Sequence, residues 1–131
     1  MNITLLGEGR TKKNSMQIIV TKNRPMLIPS AAYKKYETDC LKQIPNEAKK
    51  HIAHPVNIRC TYYMKTHRRV DLVNLLEATD DILTIAGVIA DDNSNIVAGH
   101  DYSRVMYDKD NPRVEINITS LLQTEGEEWT L

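Results

Sequence analysis

Apolar residues repeat with the two-residue period of strands in some segments of the chain and with the 3.6-residue period of helices in others. The run NITLLGE at residues 2–8 predicts a short strand that ends at Gly7. Apolar residues at 16–20 and 26–28 flank the turn TKNRP and predict a β-hairpin. Between 56 and 64 every second residue is apolar, which predicts a strand with one buried face.

Two helices are predicted, one before and one after the strand at residues 56–64. Residues 31–44 carry apolar side chains at helical spacing, with Ser30 as the predicted N-cap and Pro45 at the end. A second helix is predicted from Asp71 to Ala86, with Gly87 positioned to end it. Its apolar stripe consists of Leu72, Leu75, Leu76, Thr79, Ile82, Leu83 and Ala86.

Two further strands follow the second helix, at residues 94–109 and 112–119. The turn KDNP joins them, so we expect them to be antiparallel neighbours in the sheet. The resulting order of elements predicts an α+β (α/β-type) domain with a mixed β-sheet and two main helices.

Composition narrows the class of protein. A chain of 131 residues with 41% hydrophobic and 26% charged residues fits one globular domain spanning 1–131. The glutamate-rich end, about 123–131, is expected to be a flexible acidic tail. We find no apolar run of transmembrane length and no secretory signal pattern, so we expect a cytoplasmic protein without membrane contact. Cys40 and Cys60 have no CxxC partner and are expected to be free thiols.

The second helix also carries a polar stripe that its folding does not require. Asn74, Glu77 and Asp81 lie at i, i+3 and i+7, and no lysine or arginine occurs between Val70 and Ala90 to neutralise them. Asp91 and Asp92 follow a short link and can return near the helix. Carboxylate oxygens are the ligands that Mg²⁺ prefers, so this pattern indicates a metal site. An acidic solvent-facing helix surface is the alternative, and for Asp71 by itself a helix cap is the simpler interpretation.

The stretch RRVDLVNLLEATDDILTIAGVIADDNSNI, residues 68–96, resembles the signature of the RusA family of Holliday-junction resolvases. The segments KKNS and IPSAAYKKY resemble that family's early loop and first helix, and VEINIT resembles its last strand. The positions that match within the central stretch are Arg68, Arg69, Asp71, Leu72, Asn74, Leu75, Asp81, Leu83, Ala86, Gly87, Asp91 and Asp92.

This resemblance implies a Mg²⁺-dependent endodeoxyribonuclease, with Mn²⁺ as an alternative ion, that cuts four-way DNA junctions as a homodimer in recombination and repair. It also implies a bacterial or phage-encoded protein. The catalytic residues would be Asp71, Glu77 and Asp92, and the metal ligands Asp71, Glu77, Asp91 and Asp92. Asn74 and Asp81 would orient those ligands without binding the ion themselves.

The sequence departs from the family pattern at two positions. Val73 stands where an acid is common, and Glu77 stands where a lysine is common. The two residues lie one turn apart on the helix, so Glu77 is placed to supply the carboxylate that Val73 lacks. The missing lysine would then be replaced by Lys12, Lys13 or Arg69.

The basic residues near the acids are expected to contact DNA phosphates. They are Lys12, Lys13, His67, Arg68 and Arg69. For His67 an ordinary exposed histidine is the alternative. A catalytically decayed protein that binds branched DNA is the competing function, because Val73 removes an acid. A small protein-interaction module that docks through its acidic tail is a third alternative.

Overall fold

The computed structural model describes residues 1–12 and 16–122, so Lys13 and the predicted tail at 123–131 lie outside the described residues. The predicted order of strands and helices is confirmed, except that residues 94–109 form two short strands. In chain order the elements are β1 (Asn2–Leu6), β2 (Met16–Thr21), β3 (Arg24–Pro29), α1 (Ala31–Gln43), β4 (Val56–Met64), α2 (Leu72–Ala86), β5 (Val97–Gly99), β6 (Arg104–Tyr107) and β7 (Arg113–Ser120).

Both helices begin at the residues that the sequence predicts. The Ser30 hydroxyl accepts a hydrogen bond from the backbone N–H of Tyr33, which caps α1. The Asp71 carboxylate accepts from the N–H groups of Val73 and Asn74, which caps α2. These bonds satisfy backbone donors that have no partner inside the helix.

Helix α2 ends because Gly87 adopts a left-handed backbone conformation with φ of 81°. Its N–H group bonds back to carbonyl oxygens of the last turn. A Cβ atom at this position would lie 2.7 Å from the ring of His51, so a side chain is excluded by space as well as by conformation. The chain therefore turns sharply here and carries Asp91 and Asp92 back past the helix.

The main sheet has the strand order β1-β7-β4-β5, and β6 also pairs with β4. Strand β4 is antiparallel to β7 and parallel to β5 and β6, which makes the sheet mixed and confirms the α+β class. The prediction that β6 and β7 are antiparallel neighbours is wrong. The long strand β4 lies between them and pairs through its backbone with β6 on one edge and β7 on the other.

One face of this sheet is covered and the other faces solvent. Val56, Ile58, Cys60, Tyr62 and Met64 of β4 are buried beneath the helices, as the alternation predicts. The residues between them point to the opposite side, which we call the open face. Strands β2 and β3 form a separate two-stranded hairpin, as predicted.

Cys40 and Cys60 are both buried free thiols, as predicted. None of the helices in the described ranges is long and apolar enough to cross a membrane.

Candidate active site

Two further carboxylates, those of Glu77 and Asp92, lie near Asp81 beside the middle of α2. Glu77 and Asp81 lie one turn apart on its polar stripe, and the carboxyl group of Asp92 is within hydrogen-bonding reach of Asp81. Burial raises the pKa of Asp81, and the carboxylates of Asp92 and Glu77 raise it further. The amino group of Lys12 opposes this shift but does not cancel it. The carboxylates of Glu77, Asp81 and Asp92 together therefore carry more negative charge than the ammonium group of Lys12 neutralises.

Asp71 caps the N-terminus of α2. Its Oδ1 atom accepts the N–H of Val73 at 2.9 Å and that of Asn74 at 3.4 Å. The side chain of Asp71 is exposed, and Oδ2 accepts no hydrogen bond from the described residues. Capping thus fixes the orientation of the carboxylate while one of its oxygens faces solvent.

Asp91 and Asp92 occupy the loop after α2, and their side chains lie close to each other. The Asp91 carboxylate accepts the N–H of Asp92 at 2.7 Å and the side-chain amide of Asn93 at 3.1 Å. Those two hydrogen bonds lower the pKa of Asp91, with the backbone bond as the larger cause. Asp91 therefore shapes the loop, and the loop presents Asp92 to Asp81.

A tyrosine hydroxyl lies close to the acids. Tyr33 of α1 is 1% exposed, and its hydroxyl group has no hydrogen-bond partner among the described residues. Burial is the largest cause that raises the pKa of the Tyr33 hydroxyl, and nearby carboxylates that include Asp81 and Glu77 raise it further. A neutral, unpartnered O–H donor thus accompanies the carboxylates.

The basic residues predicted to contact DNA lie in different surroundings. Lys12 lies beside Asp81, and Arg69 is exposed. Arg68 forms an ion pair of 3.0 Å with Glu8, and the same carboxylate accepts the N–H of Lys65. These bonds hold the segment that precedes α2 against the start of the chain.

His67 is exposed and stacks on Tyr107, with ring centroids 3.9 Å apart. Asn74, predicted to orient a ligand, is half-buried on α2. Its side chain makes no hydrogen bond to the described residues, so it is free to face a ligand or a water.

Sequence reasoning missed a buried acid on the same helix. Asp80 is 8% exposed, and its Oδ2 atom lies 2.8 Å from Nε2 of His100. The other carboxylate oxygen is buried without a hydrogen-bond partner in the described part of the chain. The signal was present in the sequence, since Asp80 lies three residues before Leu83 and four after Leu76, both on the apolar stripe.

The donor chemistry fits a divalent cation at the contact between Asp81 and Asp92. Two ionised carboxylates this close repel each other, and Mg²⁺ commonly takes one or two carboxylates together with several waters. Within residues 1–12 and 16–122, however, no group of three or more histidine, cysteine, aspartate and glutamate side chains is gathered closely enough to hold a metal. The pair therefore offers two protein ligands, and the predicted larger set is not assembled around it.

The family model described as endodeoxyribonuclease RusA matches residues 8–119, which include α1, α2 and the loop with Asp92. No curated protein matches the chain.

Proposed function

Because this chain belongs to the RusA endodeoxyribonuclease family, we propose that it resolves four-way DNA junctions by metal-dependent hydrolysis of phosphodiester bonds. The observation that carries the proposal is that the carboxyl group of Asp92 lies close enough to Asp81 to raise its pKa, with Glu77 and Lys12 also near. An excess of carboxylate at a half-buried position is favourable only when a cation or a proton compensates it. A nuclease of this family has a use for the cation.

The metal would be held by Asp81 and Asp92, with Glu77 beside them and Asp71 proposed as a further acid from the sequence prediction. A bound divalent ion would lower the pKa of the attacking water and offset the charge that develops on the scissile phosphate. Asp81 is thus proposed as a ligand, whereas the sequence predicted it as an orienting group. Asp91, predicted as a ligand, is proposed to fix the loop through its two hydrogen bonds.

Lys12 is proposed to replace the family's missing lysine. It is close enough to Asp81 to lower the pKa of that carboxyl group. From there its ammonium group can balance the negative charge of the carboxylates when the DNA backbone approaches. This position supports Lys12 over Arg69 among the three candidates named from the sequence.

The remaining basic residues would hold the DNA backbone. Arg69 and His67 are exposed on the segment that leads into α2, and Arg68 anchors that segment through Glu8. Contacts from such side chains to phosphates position the duplex without reading its bases. Lys13 is proposed for the same role on the sequence prediction alone.

A homodimer completes the proposal. A four-way junction has approximate two-fold symmetry, and resolving it requires a cut in each of two strands. A C₂ dimer supplies two equivalent sites related by the same operation. The mass of the protein in solution and of its complex with one junction tests this part separately.

The direct test uses a synthetic four-way junction labelled on one strand at a time. We expect nicking in Mg²⁺ and none in EDTA, with Asp92→Asn inactive but still bound to the junction. Asp101→Asn, which changes an exposed aspartate outside the acid group, serves as the matched control and should cleave normally. Nicking by Asp92→Asn at the wild-type rate would contradict the proposed site.

One observation favours the competing function of a decayed junction-binding protein. Val73, which stands in place of a family acid, is 69% exposed and offers no ligand. A protein of this kind would bind the junction in gel shifts with the same affinity in Mg²⁺ and EDTA, and would cut it in neither.

A further inference from the structure

A cavity of about 230 Å³ opens on the open face of the main sheet, on the side opposite the two helices. It forms where β4 and β6 run parallel, with Thr61 beside Arg104 and Tyr63 beside Met106. Two arginines, two tyrosines, a threonine and a methionine line it: Arg59, Arg104, Tyr63, Tyr102, Thr61 and Met106. The acids of the candidate active site do not line it.

The charged side chains that line this cavity are both positive, although Glu115 lines a neighbouring pocket that shares Arg59 and Thr61 with it. No carboxylate is among the residues that line the cavity itself. Arg59 and Arg104 are both exposed, and neither forms an ion pair within the described ranges. Two guanidinium groups at one cavity suit an anion with planar oxygen atoms, such as a phosphate group.

Tyr102 is held in an unfavourable backbone conformation at the edge of the cavity. Its φ is 66°, in the left-handed region that residues with bulky side chains rarely adopt. Its side chain is 78% exposed, so burial of the ring does not compensate for the strain. Tyr102 is the third residue of a turn that the hydrogen bond from the N–H of Ser103 to the carbonyl oxygen of His100 closes, and this turn places the exposed ring at the edge of the cavity.

Tyr63 gives the cavity a second aromatic ring. The guanidinium carbon of Arg113 lies 3.8 Å from the centre of the Tyr63 ring, and Arg113 is itself held by Asp108 and Glu115. This chain of contacts fixes the orientation of the ring. A fixed tyrosine and an exposed tyrosine beside two arginines form the combination of aromatic surface and positive charge that binds single strands of nucleic acid.

We propose that this cavity binds one unpaired nucleotide of a DNA strand, with its base against Tyr102 and its phosphate against Arg59 and Arg104. The proposal rests on the proposed function in that it takes the substrate to be DNA, and it adds a contact surface on the opposite side of the sheet. Strands near the centre of a branched junction can unpair, and they would supply such a nucleotide.

The tyrosine is tested by changes that leave the net charge constant. Tyr102→Asn removes the ring and places a residue that tolerates the left-handed conformation, so the fold is preserved. We expect it to weaken binding of a fluorescein-labelled oligo-dT by about tenfold, whereas Tyr102→Phe retains affinity. Equal affinities of wild type, Tyr102→Asn and Tyr102→Phe would overturn the proposal.

The arginines are tested by salt dependence. Arg59→Gln and Arg104→Gln should each make the slope of log K against log salt shallower, and the double variant should make it shallower by about 0.7, because the two arginines neutralise one phosphate. Lys42→Gln, on the exposed side of α1 across the sheet, is the matched control and should leave the slope unchanged. The same slope in the arginine variants and in wild type would contradict the assignment.

Two further binding experiments distinguish the contribution of the base from that of the phosphate, and a DNA strand from a free nucleotide. An oligonucleotide with an abasic residue in every position should lose the tyrosine effect but keep the arginine effect, whereas loss of neither effect overturns the assignment of the base to Tyr102. Free thymidine monophosphate at equal nucleotide concentration should compete poorly with the oligonucleotide for the cavity. Full competition would show that the ligand is a free nucleotide and would overturn the assignment to a DNA strand. Junction nicking is measured in parallel, so a failure of this site is distinguishable from a failure of the nuclease.

Discussion

The carboxylate of Asp80 lies 2.8 Å from Nε2 of His100, while Nδ1 of the same ring lies 2.8 Å from the carbonyl oxygen of Ile58. A carbonyl oxygen accepts hydrogen bonds and donates none, so Nδ1 must carry a hydrogen. The hydrogen between Nε2 and Asp80 then belongs either to an imidazolium or to a protonated carboxyl group. In both cases the pair binds one proton in addition to that on Nδ1.

This pair predicts a pH dependence of stability. Burial raises the pKa of Asp80 above its usual 3.8, although the hydrogen bond to His100 opposes the shift. Burial would lower the pKa of His100, but the hydrogen bond and the charge of Asp80 outweigh it and raise that pKa above 6.5. Both groups bind protons more tightly in the folded chain. Their stabilising contribution is therefore present at low pH and is lost as pH rises through the folded values.

The measurement is thermal unfolding of wild type and His100→Asn in EDTA across the pH range. We expect His100→Asn to lower Tm most below pH 6.5, by several degrees for a cost of about 1 kcal/mol. The difference should shrink as pH rises above that value. His67→Asn, which changes an exposed histidine without a carboxylate partner in the described ranges, is the control. A difference that grows with pH would show that the sign is wrong.

Asp71 allows folding and chemistry to be measured separately. Asparagine caps helices about as well as aspartate, whereas alanine costs about 1 kcal/mol at this position. Asp71→Asn should therefore keep the wild-type free energy of unfolding and lose junction nicking, and Asp71→Ala should lose both. Urea unfolding and the nicking assay give the two readouts. Nicking by Asp71→Asn at the wild-type rate would leave Asp71 as a cap alone.

The local features of α2 were predictable because their signals lie within a few residues. The N-cap Asp71, the C-terminal Gly87 and the polar stripe of Glu77 and Asp81 all follow from spacing along one helix. The proximity of Asp81 and Asp92 was harder to predict from the sequence, since it depends on the path of the loop after α2. Spacing suggested that the loop returns to the helix but did not show which acid meets Asp81.

Pairing across long separations was not predictable. The turn between β6 and β7 suggested adjacent strands. Each of them pairs instead with β4, whose paired residues lie 43 positions before those of β6 and 50 to 64 positions before those of β7. The pair of Asp80 and His100 was not predictable for the same reason, because residues 20 positions apart share no periodic pattern in the sequence. A buried aspartate has to have a partner, but the sequence does not say which residue provides it.

Metal binding can be measured without activity. A ligand that binds the folded chain alone stabilises it by RT ln(1 + [L]/Kd), about 2.7 kcal/mol at one hundred times Kd. We therefore expect saturating Mg²⁺ to raise Tm by about 4 °C or more in wild type. Asp81→Asn and Asp92→Asn should each abolish most of that increase. They should also raise Tm in EDTA, because each change relieves the repulsion between the two carboxylates.

The matched control for metal binding is Asp110→Asn, which changes an exposed aspartate in the turn before β7. It should respond to Mg²⁺ as wild type does. If all the variants gained the same increase in Tm as wild type, the ion would bind elsewhere, and the contact between Asp81 and Asp92 would be a shared proton with no metal function.

Glu77 decides whether the departures from the family pattern compensate for each other. Glu77 lies one turn from Val73 on α2 and close enough to Asp81 to raise the pKa of that carboxyl group. If Glu77 supplies the carboxylate that Val73 lacks, Glu77→Gln should lower the nicking rate by about 100-fold, the scale of losing one charge-stabilising group. Glu77→Lys should be at least as damaging, because it places a cation among the remaining acids.

The double variant Val73→Asp, Glu77→Lys restores the family pattern at both positions. If the two departures compensate, it should recover nicking that Glu77→Lys alone lacks. The change at the exposed Val73 should not disturb the fold, since its side chain covers no core residue. Wild-type nicking by Glu77→Gln would instead show that Glu77 is a solvent-facing acid, and the site would then rest on Asp71, Asp81 and Asp92.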